Sequence, residues 1–214
     1  MEVTAGGHPH SPIEWNPRGA ARRVQRPRPH PLTVLVIHAH PGAPASRVNA
    51  ALAAAARTVP GAFVHDLYEA YPHFFVDPHR EQALLATHPV VVFQHPLYWY
   101  SVPALLKQWF DTVLTHGWAY GHDATALHGK VWAHALTTAG SAESYRGGLD
   151  PADERHPRAN VFALADYVKP WLQSARLCGM RWVEPFAVHS AEALDDAALA
   201  AACERYRAWL AGLA

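Results

Sequence analysis

Leu32-Thr33-Val34-Leu35-Val36-Ile37-His38 is an unbroken apolar run rich in β-branched residues. Strands buried on both faces read this way, and such strands belong to parallel sheets covered by helices. The residues downstream support that reading. A loop with Pro41 and Pro44 follows, then an Ala-rich helical stretch from Ser46 to Arg57 with Ser46 as its N-cap. Further strands are read at 62–66, 89–94, 131–137 and 181–188. Between them lie helices at 77–87, with Leu84 and Leu85 inward, and at 102–114, capped by Ser101 with Pro103 in its first turn. In the second of these, Leu105, Leu106, Trp109, Phe110 and Val113 make one apolar stripe. A helix over 160–177, broken near Pro170, and a closing helix over 191–213 complete the alternation. The expected fold is α/β, a doubly wound five-stranded parallel sheet with helices on both faces.

The composition narrows the function. Of 214 residues, half are apolar and eight are Trp, which excludes a disordered chain. Eighteen basic residues balance eighteen acidic ones, so no global basic field exists for nucleic acid or an anionic membrane. Two cysteines are too few for a disulfide scaffold and suit a reducing cytoplasm. No stretch approaches the eighteen apolar residues of a membrane span. Residues 1–30 carry five Arg and five Pro, without apolar period, and read as a flexible cationic tail. Removing that tail leaves thirteen basic and sixteen acidic residues on the body, 31–214, which is the flavodoxin-like domain if the winding follows the order common for five strands.

In open α/β sheets ligands bind beyond the carboxyl ends of the strands, where the winding reverses. The loop from His38 to Asn49 matches neither a dinucleotide fingerprint nor a Walker loop. It runs straight into a helix N-terminus, where free amides and the dipole favour an anion such as phosphate. The Ser46 hydroxyl, the Arg47 charge and the Asn49 amide can add bonds, although an ordinary capped helix would look the same. The next loop holds Tyr98, Trp99 and Tyr100 in a row, facing a ligand or partner, or else plugging the core. The third carries Thr138-Ala139-Gly140-Ser141, small enough for backbone amides to approach a flat ligand. Trp118 and Tyr120, held between Gly117 and Gly121, suit a platform over a ring, with core packing as the alternative. The sixteen histidines are scattered without ligand spacing, so no metal site is expected, and His95 and His116 are read as shaping a pocket rim. Cys178 and Cys203 are read as core thiols.

Several segments, in order, resemble the NAD(P)H quinone oxidoreductase family of flavodoxin-like flavoproteins over residues 32–212. They are Ala39-His40-Pro41 with Ser46 and Asn49, Gln94-His95-Pro96 with Trp99 to Pro103, Leu105 to Asp111, Gly117 to Gly121, and Ala126 to Lys130. Within that family the Gln94-His95-Pro96 and His116 to Gly121 segments are similar to those of ancillary oxidoreductases of glutathione-gated potassium-efflux (Kef-type) systems. The resemblance implies a homodimeric cytoplasmic flavoprotein that passes a hydride from NAD(P)H through flavin N5 to a quinone-type acceptor. It implies that His40, Ser46, Arg47, Val48 and Asn49 hold the flavin phosphate. Pro96, Leu97, Tyr98, Trp99, Thr138, Ala139, Gly140 and Ser141 would line the isoalloxazine. Trp118 and Tyr120 would reach the partner subunit's site, and Tyr145 would hydrogen-bond the acceptor or relay a proton. FMN is expected over FAD, because larger FAD-using relatives carry an extra C-terminal segment and this chain ends with its last helix. A membrane potassium-efflux transporter is the implied partner, which would bring the protein to the inner membrane. Reduction of azo or nitro compounds is the alternative chemistry; a one-electron carrier is disfavoured by the weakly acidic body.

Two departures from the family pattern stand out. The relatives' Thr-Thr-Gly-Gly is Thr137-Thr138-Ala139-Gly140 here, and a positive φ at Ala139 would carry a steric cost that lowers flavin affinity. Several relatives place a His after the Tyr that Tyr145 matches, but Pro151 stands at that position, with His156 nearby.

Overall fold

The apolar runs lie side by side at the centre of one parallel sheet. The structure is a computed structural model that describes residues 34–42, 46–150, 152 and 160–213. The N-terminal tail, Leu32, Thr33, Pro44, Pro151 and His156 lie outside the described residues. Strands β1 (Val34–His38), β2 (Ala62–Asp66), β3 (Val90–Pro96), β4 (Val131–Thr137), β5 (Arg181–Trp182) and β6 (Phe186–Val188) run in the order β2-β1-β3-β4-β5, with β6 also on β4. Every pairing is parallel; Val36 sits between Val64 and Val92. The winding reverses between β1 and β3, so the loops that leave these two strands diverge and open a crevice.

Alternate residues on each strand bury opposite faces. Val34, Val36, Val90 and Val92 pack under α1 (Arg47–Ala56) and α7 (Asp196–Ala211), against Leu52, Ala56, Tyr206 and Leu210. Leu35, Ile37, Val91, Phe93 and Trp132 pack under α3 (Pro78–Thr87), α4 (Ala104–Val113) and α6 (Lys169–Leu177). Leu105, Leu106, Trp109 and Val113 of α4 are buried as the stripe predicts, while Phe110 is only partly buried. Burying each such side chain contributes roughly 1.5–3 kcal/mol. Among the described residues no helix is long and apolar enough to cross a membrane.

Five features differ from the sequence reading, one being the closing helix read from 191, which begins as α7 only at Asp196, after a separate single turn at Ala191–Ala193. Ser101 does not cap α4; Pro103 holds the N-cap position, and Ser101 instead exchanges backbone hydrogen bonds with Tyr98. The strand expected over 181–188 is interrupted between β5 and β6, where Pro185 offers no N–H to the ladder. The helix expected from 160 is two short pieces, α5 (Leu164–Tyr167) and α6, broken at Val168, which places Pro170 in the first turn of α6. A short helix α2 (Leu67–Ala70), capped by the Asp66 carboxylate, was not foreseen. Cys178 is buried, and burial pushes its thiol up to about 11, while Cys203 is half-buried on α7.

Candidate functional site

A cavity of about 560 Å³ opens at the carboxyl end of the sheet, where β1, β3 and β4 end. Small-molecule sites fall in this range. It is lined by the start of α1, by Pro96 to Tyr98 after β3, by Thr137 to Ala139 at the end of β4, and by Ala191 and Glu192 after β6.

The first turn of α1 forms one wall. Ser46 is its N-cap, yet the Ser46 side chain makes no hydrogen bond to the helix. The first amides of a helix have no partner within it, and among the described residues they and the Ser46 hydroxyl meet none, which leaves them available to an anion. Asn49 is buried; its Nδ2 donates to Thr137 Oγ1 at 2.8 Å. Its Oδ1 is buried without a donor among the described residues. His40 Nδ1 accepts from the Gly42 amide at 3.0 Å. A neutral imidazole has one N–H, so His40 carries it on Nε2, the atom 3.4 Å from the Tyr98 hydroxyl. Burial and the neighbouring His38 push the His40 pKa down, which favours this neutral donor form. Arg47 behaves differently from its sequence reading. Its guanidinium donates to the Leu194 carbonyl at 2.5 Å and pairs with the Asp196 carboxylate, tying α1 to α7.

The wall after β3 is a strained turn. Leu97 donates to the Thr137 carbonyl at 2.8 Å, and Tyr98 and Ser101 exchange two backbone hydrogen bonds. Trp99 and Tyr100 between them have φ of 49° and 60°, a conformation that bulky residues adopt only when the surroundings force it. Trp99 is 94% exposed and lies outside the cavity lining. Tyr100 stacks on Tyr167 at 4.8 Å.

The wall after β4 is the small-residue loop. Among the described residues the amides of Ala139, Gly140 and Ser141 meet no acceptor. Ala139 does not have a positive φ, so the steric cost considered for it is absent. Gly140 is required for space instead: a Cβ there would lie 2.6 Å from Ser144 Oγ and 3.0 Å from the Tyr145 ring. Tyr145 therefore lies directly against this loop, although it does not line the cavity. Burial, with Tyr100 nearby, pushes its hydroxyl pKa up.

The fourth wall, Ala191 and Glu192, was missed, as was His189, which does not line the cavity but touches Thr138 that does. His189 follows β6 and approaches Thr138 Oγ1 through Nδ1 at 2.9 Å; its ring lies 5.7 Å from that of Tyr145. The Thr138 hydroxyl already donates to the Gly140 carbonyl, so His189 Nδ1 donates and its Nε2 is left with a lone pair. Ala191 donates to the Thr138 carbonyl and Ser190 to that of Gly140, pinning this segment to the loop. No local sequence signal marked this segment, since its place depends on β6 pairing with β4.

Within one chain Trp118 and Tyr120 do not line the cavity. They are half-buried in a tight loop after α4, where Gly117 donates to the Tyr120 carbonyl at 2.8 Å. His116 is exposed, whereas His95 is wholly buried in the sheet and shapes no rim. Among the described residues no group of three His, Cys, Asp or Glu side chains could hold a metal.

Known proteins share this fold. A family model for the flavodoxin-like fold matches residues 32–210. The glutathione-regulated potassium-efflux system ancillary protein KefG of Pectobacterium carotovorum is 40% identical over 182 residues, 85% of this chain and 94% of that protein. The general stress protein 14 of Treponema denticola, solved in complex with FMN, gives a TM-score of 0.74 at 36% identity, over 85% of this chain and 99% of that one. An NADPH-quinone reductase from P. pentosaceus gives 0.70 at 28% identity, over 83% and 97%. With its winding order, its crevice and the match over nearly the whole body, the chain belongs to the flavodoxin-like family that also contains KefG.

Proposed function

We propose that this chain is an FMN-dependent NAD(P)H:quinone oxidoreductase. The observation that carries the proposal is the cavity of about 560 Å³, walled on one side by a helix N-terminus whose Ser46 cap makes no side-chain bond and on the other by Thr137 to Ala139, where the loop with unengaged amides begins. A phosphate fits the first and a flat ring system the second. The solved relative in complex with FMN, which this chain matches over almost its full length, supports that group. The residues present fit it. His40 Nε2, the Ser46 hydroxyl and the amides of Arg47, Val48 and Asn49 would hold the phosphate. Leu97, Tyr98 and the loop Thr138-Ala139-Gly140-Ser141 would flank the ring.

Bound FMN supplies two-electron hydride chemistry, accepting from NAD(P)H and giving to a quinone-type acceptor. The chain's own contribution is binding, orientation and polarity. The unengaged amides at 139–141 present donors where negative charge would develop. Tyr145 would hydrogen-bond the acceptor oxygen. As Tyr145 gives its hydroxyl proton to that oxygen, His189, whose ring lies 5.7 Å from that of Tyr145, would pass a solvent proton on to replace it. Arg47 is left out of phosphate binding in favour of its pairing with Asp196. Trp118 and Tyr120 would act on the site of a second copy, in a homodimer. Trp118→Ala should then lower quinone turnover more than flavin content, and unchanged steady-state rates would remove the platform role.

The test is a visible spectrum of the purified protein after FMN is added and the excess removed. Retained flavin should bleach with anaerobic NADPH and recover with quinone. Absence of retained flavin overturns the reading. A second reading is favoured by the 40% identity to KefG: an ancillary subunit that docks on a membrane potassium-efflux system from the cytoplasmic side. Co-purification of such a transporter with the tagged protein would establish it.

A further inference from the structure

Beneath the cavity, on the face covered by α4 and α6, lies a buried row of polar rings that the proposed chemistry does not use. Trp132 Nε1 donates to His134 Nε2 at 2.8 Å. His134 Nδ1 lies 2.9 Å from His95 Nε2, and His95 Nδ1 lies 2.9 Å from the Pro96 carbonyl. Both imidazoles have no exposed surface, and the Trp171 ring stacks on His134 at 4.4 Å.

The protons in this row can be counted from either end. An indole nitrogen only donates, so His134 Nε2 accepts. A neutral imidazole has one N–H, so His134 Nδ1 donates and His95 Nε2 accepts. His95 Nδ1 therefore donates to Pro96. Starting instead from the carbonyl, which only accepts, gives the same assignment. A proton on His134 Nε2 would face the indole N–H, donor against donor. The row is consistent only with both rings neutral and both in the Nδ1–H form. Burial, which pushes His95 down to about 4 and holds His134 well below the usual histidine range, acts in the same direction.

The Pro96 carbonyl needs this donor. Ala39 N–H donates to the Gln94 carbonyl in the β1–β3 ladder. The next rung would draw on the amide of residue 41, and Pro41 has none. His95 supplies what the ladder lacks. Pro96 lines the cavity and begins the strained turn that carries Tyr98, Trp99 and Tyr100.

We propose that Trp132, His134 and His95 form a one-way hydrogen-bond chain that positions the Pro96–Ser101 wall, and that flavin binding in the cavity depends on it. His95 and His134 are positioning residues, acting through the Pro96 peptide. The dependence on flavin rests on the proposed function; the direction of the chain does not.

The test has two arms. In the first, long-range 15N–1H correlation spectra of the ¹⁵N-His-labelled wild-type protein read the tautomers directly. His95 and His134 should both be Nδ1–H at neutral pH, with or without FMN. An Nε2–H tautomer, or an imidazolium, at either ring overturns the chain. The second arm compares His95→Asn with His95→Gln. The Asn amide nitrogen stands where Nδ1 stood and keeps the donor to Pro96. The Gln oxygen can still accept from His134, but the donor to Pro96 is lost. His95→Asn leaves the His134 Nδ1–H and its own Oδ1 unpaired, and His95→Gln leaves the Pro96 carbonyl and its own Nε2 unpaired, so both should lose similar stability. FMN affinity, by fluorescence titration, should stay within about twofold for His95→Asn and fall about tenfold for His95→Gln. Equal affinities in the two variants overturn the positioning role. If the wild-type protein binds no FMN, the proposed function fails, and the tautomers alone decide the chain.

Discussion

Glu81 and Asn49 are buried polar side chains on opposite faces of the sheet, and the fold treats them in opposite ways. The Glu81 carboxylate has no exposed surface and accepts three hydrogen bonds, from His65 Nε2 at 2.9 Å, the Tyr71 hydroxyl at 2.6 Å and Trp109 Nε1 at 2.8 Å. Asn49 is buried beside the cavity with its Oδ1 unpaired, although its Nδ2 is bonded to Thr137 and its backbone carbonyl accepts from Gln94. A buried polar group without a partner is expensive, so nearly all are paired in the native fold. The Glu81 cluster is complete and far from the crevice: it holds α3, α4 and β2 together. The Asn49 oxygen lies at the crevice and meets no donor among the described residues.

The largest effect should come from the complete cluster. Glu81→Leu keeps the volume but leaves three buried donors without an acceptor. It should cost about 3–5 kcal/mol of stability, read by denaturant titration, while the folded fraction binds FMN as before. A loss below about 1 kcal/mol would show that these donors find other partners and would break the contrast. Acid probes the same group. Burial alone would raise the Glu81 pKa, but the bonds from His65 and Tyr71, the His65 charge and the Trp109 N–H outweigh it and hold it low. A depressed folded pKa means the contribution is complete above the unfolded Glu value of about 4.3 and is lost as the pH falls through the folded value. The wild-type protein should therefore lose stability below about pH 4 more steeply than Glu81→Leu.

Gly140→Ala should have an intermediate effect, and on binding more than on folding. The new Cβ meets the Ser144 hydroxyl, which can rotate away, and the Tyr145 ring, which must shift by a few tenths of an ångström. Stability should fall by about 1 kcal/mol and FMN affinity about tenfold. A larger loss of stability than of affinity would place Gly140 with the structural residues.

The sheet was legible because its strands are buried on both faces, and the runs at 34–38, 90–96 and 131–137 contain no competing period. The four-residue α2 was not, since one turn has no periodicity to find. The Pro185 interruption was visible in the sequence as a missing donor but was read through as strand. The site followed the same division. The loops after β1, β3 and β4 were legible, because fold class alone puts them at the crevice. His189, Ala191 and Glu192 were not, because their place depends on β6 joining β4 beyond the interruption. Arg47 could not be assigned from local sequence at all, since its partners Leu194 and Asp196 are almost 150 residues away.

The smallest expected effect sharpens the comparison most. Three other helices close their N-termini with carboxylates: Asp66 accepts from the amides of Tyr68 and Glu69, Asp77 from those of His79 and Arg80, and Asp195 from that of Ala198. Ser46 stands at the same position of α1 and makes no such bond. Replacing a working Ser cap by Ala lowers stability by about 1 kcal/mol. Ser46→Ala should therefore leave the stability of the FMN-free protein within about 0.5 kcal/mol of wild type. With FMN present the hydroxyl has a partner, and its loss should weaken binding about three- to tenfold. The stabilisation that saturating FMN gives against denaturant should shrink in proportion to the logarithm of that factor. The order of the two effects is the diagnostic. If the FMN-free protein loses about 1 kcal/mol and the FMN increment is unchanged, Ser46 is an ordinary cap and the open end of α1 is not an anion site. If the loss emerges only with FMN, the missing cap bond and the unpaired Asn49 oxygen are two signs of one feature, a binding surface that the fold leaves unsatisfied until its ligand arrives.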